Sequence, residues 1–125
     1  MTEQAAVMET AQIVRASELV SSLARRDISG LSHEVLMAEY DAVAKLGRVA
    51  DALEARYAGE IARRSTPDQV GGGLARRQGF GNATSMVASV TGGTQASARR
   101  SIEVGQALLP EPVLRSDDVA TGEPD

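Results

Sequence analysis

The residues able to do chemistry in this chain are few. His33 is the one histidine and there is no cysteine. The usual zinc ligand sets need more than one imidazole or thiolate, and a histidine-metal nuclease motif needs at least two histidines. His33 stands beside Ser32, a predicted helix cap, and is expected to be exposed and idle. A serine nucleophile needs an oriented base, and the serines here fall at caps, turns and helix surfaces with no such partner. Glu34, Glu39, Asp41, Asp51, Glu54 and Glu60 crowd one predicted helix. None forms the Glu-x-x-His pair of a carboxylate metal site in a helical bundle, so they are read as solvated charges. Gly71-Gly72-Gly73 lacks the Gly-Lys-Ser/Thr and the preceding strand of a phosphate loop. Neither catalytic residues, a metal nor a cofactor is expected.

The elements that must carry these residues are helical. Ala6, Ile13, Ala16, Val20 and Leu23 recur at three, four and seven, which predicts a helix over about 3–26. Gly30 is expected to end it in the left-handed conformation, with Ser32 capping the next helix. That second helix, 32–64, contains no proline. Leu36, Tyr40, Val43, Gly47, Ala50, Tyr57 and Ile61 form a heptad-like stripe, widened by Leu46, Val49 and Leu53. At about 1.5 Å per residue it would run roughly 50 Å. It is therefore expected to pack on the first helix or on another chain, and Gly47 is expected to mark a tight crossing. Glu60 and Arg64 are spaced for an i,i+4 ion pair.

Pro67 and the glycine run predict a loop over 65–81, with a short helical segment over 74–78. Asn82 and Thr94 are expected caps of two helices separated by Thr91-Gly92-Gly93. The predicted fold is all-α: a long antiparallel helix pair over 1–64, the Gly-rich loop, a helix-turn-helix-like unit over 82–109 and a disordered acidic tail over 110–125.

Composition bounds the rest. The chain has 125 residues, 42% of them apolar, with Tyr40, Tyr57 and Phe80 as its whole aromatic set. So thin a core predicts help from a second copy or a helical partner, with Leu36, Tyr40, Val43, Leu46, Ala50, Leu53 and Tyr57 as the interface. The net charge is −4, unevenly placed. Arg76, Arg77, Arg99 and Arg100 outnumber Glu103 between residues 74 and 108, whereas Glu111, Asp117, Asp118, Glu123 and Asp125 dominate the tail. The N-terminus does not read as a signal peptide and no stretch is long enough to span a membrane, so a cytoplasmic location is expected.

In a helix-turn-helix the second helix offers its N-terminal half to the major groove. Here that half reads Thr94-Gln95-Ala96-Ser97-Ala98-Arg99-Arg100-Ser101. Gln95 suits adenine, Arg99 and Arg100 suit guanine or phosphate, and Thr94, Ser97, Arg76 and Arg77 suit phosphate. Ala98, Ile102 and Gly105 are expected to face inward, with Gln95, Arg99 and Glu103 outward. Two capped helices around a turn are also common in proteins that never touch DNA. A helical oligomerisation or partner-docking module without nucleic-acid binding therefore stands as the alternative.

The order of several short pieces adds a resemblance. These are Val49-Ala50-Asp51-Ala52-Leu53-Glu54-Ala55-Arg56, Leu74-Ala75-Arg76-Arg77-Gln78-Gly79-Phe80, Val90-Thr91-Gly92, Ala96-Ser97-Ala98-Arg99-Arg100 and Gly105-Gln106-Ala107-Leu108-Leu109-Pro110. Over about 30–110 the chain resembles the N-terminal part of the domain-of-unknown-function 222 family. Those are actinobacterial proteins that often carry a C-terminal HNH endonuclease domain. The resemblance implies an all-helical domain linked to DNA processing, with no catalytic residue in this region. Most of the family domain and the nuclease module have no counterpart here, so endonuclease activity is not carried over. The expected role is a non-catalytic DNA-associated accessory domain.

Overall fold

The computed structural model describes residues 3–108. They are all-α: α1 Glu3–Leu23, α2 His33–Arg63, a 3-10 turn Val70–Gly72, α3 Leu74–Arg77, α4 Ala83–Thr91 and α5 Gln95–Leu108, with no strand among them. The acidic tail predicted over 110–125 lies outside the described residues. By its contacts the chain divides into two units, Met1–Ala42 and Val43–Asp125, so the second half of α2 belongs with α3, α4 and α5.

In the first unit α1 ends three residues earlier than the pattern predicts. Gly30 is not among the glycines with positive φ, which corrects its expected role as a left-handed terminator. Asp27 organises the turn instead, its Oδ1 accepting from the Ser29 N–H at 3.0 Å and the Ser29 hydroxyl at 2.8 Å. These two bonds, the backbone one first, hold the Asp27 carboxyl below its ordinary pKa. Ser32 caps α2 as expected, accepting from the Val35 N–H at 3.2 Å. Arg26 binds both carboxylate oxygens of Glu39 at 2.9 and 3.0 Å.

No residue of α1 is buried, nor is any other residue of 3–42. The predicted pair supplies both helices but no shared core here. The reason lies in the helical wheel of α1. Val7, Ala11 and Val14 fall on one side, while Ile13, Ala16, Val20 and Leu23 fall on the other. One neighbouring helix cannot cover both sides.

The second unit holds the core. Ala58, Val87, Ala88, Ala98 and Ile102 form a buried cluster, with Ile61, Ala62 and Ala83 packed against it. Its tightest point is the approach of α2 and α5. A β-carbon on Gly59 would lie 2.6 Å from the Gly105 carbonyl carbon, and one on Gly105 would strike the Ala55 carbonyl oxygen. Glycine at both positions lets the two backbones touch. Gly47, expected to mark such a crossing, has open space around it. The tight contact is formed by Ala55, Gly59 and Gly105, on a face of α2 rotated away from the Gly47 stripe.

The segment after α2 is more ordered than a loop. The Ser65 hydroxyl donates to the Ile61 carbonyl at 2.6 Å and accepts from the Ala75 N–H at 3.1 Å, while the Leu74 N–H donates to the Arg64 carbonyl at 2.7 Å. These bonds fold α3 back onto the end of α2. α3 in turn packs on α4, and α4 on α5.

Candidate nucleic-acid face

The face predicted to meet DNA is built from α4, the connector Gly92-Gly93-Thr94 and α5. Asn82 starts α4, its side-chain oxygen accepting from the Ser85 N–H at 2.8 Å. Gly92, at φ 73°, ends it in the left-handed conformation, which a β-carbon would disfavour. Thr94 and Ser97 then cap α5 reciprocally. The Ser97 N–H donates to Thr94 Oγ1 at 2.9 Å, and the Thr94 N–H donates to Ser97 Oγ at 3.0 Å. This is the capping-box arrangement with serine in the position usually held by Glu or Gln. The Ser97 hydroxyl also donates to the Thr94 carbonyl at 3.0 Å. Both hydroxyls thus serve the cap, and Ser97 has no spare proton for a phosphate.

On α5, Ala98 and Ile102 are 1% and 8% exposed and Gly105 is buried, while Gln95, Arg99 and Glu103 face solvent. Residues 95, 99 and 103 follow one another at four-residue steps along one flank. Arg100 also stands exposed but on a different flank. It borders an open groove of about 350 Å³ between α2 and α5, with Asp51, Glu54, Ser97, Ser101 and Val104 among its other walls. The Ser101 hydroxyl donates to Glu54 at 2.9 Å. The two adjacent arginines therefore meet different fields. Arg99 stands beside Gln95 on the open flank, whereas Arg100 shares its groove with two carboxylates.

Arg76 and Arg77 are exposed on α3. Their stems lie over Gly72 and Gly71, in the space a β-carbon would take there. At the end of α2, Glu60 accepts from Arg63 Nε at 3.0 Å and from Arg64 Nε at 2.6 Å. The hydrogen bonds from Arg63, then Arg64, pull the Glu60 carboxyl down to about 2. Arg64 was expected as its partner; Arg63 is an addition, and the pair takes two cations out of any phosphate-binding role. His33 is exposed. No group of three or more histidines, aspartates or glutamates among the described residues is placed to hold a metal ion. None of their helices is long and apolar enough to cross a membrane.

The residues expected at an oligomer interface, Leu36, Tyr40, Val43, Leu46, Ala50, Leu53 and Tyr57, are all exposed. Tyr40 reaches 66% and Tyr57 56%. The buried face of α2 is a different one, Ala55, Ala58 and Gly59. The sequence reading passed over this small-residue face. The signal for it was present in Ala55-x-x-x-Gly59 on α2 and in Ala98 and Gly105, seven apart on α5. No protein-family model matches the chain, and neither a curated protein nor a solved structure matches it.

Proposed function

We propose that the chain is a non-catalytic DNA-associated accessory domain, kin to the N-terminal part of the domain-of-unknown-function 222 family. The observation that carries the DNA reading is the flank of α5. Gln95 and Arg99 project from the first half of a capped helix whose opposite side, Ala98 and Ile102, is anchored in the core. A rigid helix with an exposed amide and guanidinium one turn apart can read base edges or grip phosphates. The kinship rests on the order of the short motifs. Several of their residues, Ala55, Ala75, Ala98 and Gly105, are buried packing positions, so the resemblance speaks to the fold more than to chemistry.

The test is fluorescence anisotropy of the full chain against labelled duplex DNA at two salt concentrations, with Arg99→Glu and Arg100→Glu separately. Phosphate contact weakens with added salt through counterion release. Arg99→Glu is expected to cost at least tenfold in affinity. Arg100→Glu, already beside Asp51 and Glu54, should cost less. Equal affinity in the native chain and Arg99→Glu would remove this face from the proposal.

A second reading has its own observation. Residues 3–42 expose apolar side chains on every side of α1 and bury none. An uncovered apolar surface of that extent marks a binding surface, and an isolated helix of this length is marginal in water. On this reading the first unit is a helical docking module.

A further inference from the structure

We infer that α1 pairs with α1 of a second copy of this chain, the two helices antiparallel. The inference rests on the docking reading and names its occupant.

The most exposed apolar side chains of α1 include Met8 at 60% and Leu19 at 62%. Eleven residues separate them, close to three full turns, so they share one side of the helix. They also lie nearly equidistant from its middle. An antiparallel copy sets Met8 of each chain over Leu19 of the other. The same register places Glu3, at the start of α1, against Arg25, just past its end. It keeps Glu9 and Glu18, nine residues and half a rotation apart, from facing each other. Charge and apolar surface are thus complementary to themselves in one orientation, as a two-fold contact requires.

The area agrees. Twelve large apolar side chains of residues 3–42 are exposed. A wholly exposed one offers roughly 60–120 Å² of apolar surface; at about half exposure the set leaves on the order of 500 Å² uncovered per chain. Two chains burying most of it approach the ~1,000 Å² at which a contact becomes specific. Two copies also bring four helices together, enough to cover both sides of each α1.

The chain has no cysteine, which makes disulfide trapping clean. Single variants Met8→Cys and Leu19→Cys, tagged to differ in mass, are mixed and oxidised at about ten micromolar, with Val90→Cys on α4 as the exposed control. The expected result is a mixed Met8–Leu19 disulfide outpacing either self-disulfide at least tenfold, with no product from the control. Sedimentation of the cysteine-free chain should then show a dimer that Met8→Glu with Leu19→Glu converts to monomer. Glutamate is a good helix former, and circular dichroism checks that helicity survives. Self-disulfides at least as fast as the mixed one overturn the antiparallel pairing. A monomer at every concentration, with no trapped product, overturns self-pairing altogether. If that monomer captures another protein through Leu19, the docking reading survives while this inference falls.

Discussion

Residues 3–42 and residues 43–108 are made from the same kinds of residue and end differently. In the second region Ala55, Ala58, Ala75, Val87, Ala88, Ala98 and Ile102 are buried; in the first, nothing is. Yet the first region is richer in large aliphatic side chains. Leu, Met, Ile and Val line α1, whereas the buried contact of α2 with α5 is alanine and glycine. Size explains the reversal. Small residues on facing helices allow the backbones to touch, and each alanine then fills the space between them. The larger side chains of α1 and of the Tyr40–Tyr57 stripe need a wider partner surface, which 43–108 does not offer them. Hydrophobicity alone would have put the core on the wrong face of α2.

The strongest way to break this comparison is to enlarge the crossing. Gly105→Val forces a side chain into the Ala55 carbonyl and is expected to cost about 3 kcal/mol or more. Gly47→Ala, in open space on the same α2 helix, should gain about 0.5–1 kcal/mol. Urea denaturation monitored by circular dichroism measures both. A Gly105→Val midpoint equal to that of the native chain would mean that the two backbones do not touch.

A smaller effect sharpens it. Ile102→Ala removes a buried side chain and should destabilise by about 2–4 kcal/mol. Ile13→Ala, the same change on exposed α1, should cost less than about 0.5 kcal/mol at dilutions where no partner covers it. Equal losses would show that α1 has a core of its own. Hydrogen exchange should follow the same split, with α1 amides exchanging well before those of α5.

The smallest effect belongs to the Glu60 clamp. Its folded pKa of about 2 lies below the ordinary 4.5. The stabilisation is therefore present above pH 4.5 and lost as the pH falls toward 2. The group is partly solvated, so the loss should stay below about 1 kcal/mol. Glu60→Gln should flatten the stability–pH curve in that window, and raised salt should mimic it. An unchanged curve would mean that Arg63 and Arg64 do not hold the carboxylate.

Much of the local structure was legible because it depends on neighbours in the chain. Ser32, Asn82 and Thr94 cap their helices where an oxygen-bearing residue precedes a periodic run. Gly92 ends α4 at the expected break, and Ala98, Ile102 and Gly105 form the inner side of α5. The failures are positions whose role depends on distant residues. Gly30 had the right type for a left-handed turn, but Asp27 and Ser29 closed that turn first. Gly47 and Gly59 look alike in the chain, twelve residues apart on one helix, and only the arrival of α5 distinguishes them. Arg99 and Arg100 are adjacent and identical, and only the carboxylates of α2 give them different surroundings.

The sequence by itself determined that the described chain is helical, where most of its helices start and stop, and which face of α5 turns inward, because periodicity and capping act over three or four residues. The tertiary structure decided which face of α2 is buried, which glycines sit at the crossing and which arginine stands clear of acidic neighbours. Those outcomes depend on how closely two backbones can approach, and that distance is set by residues almost fifty positions apart.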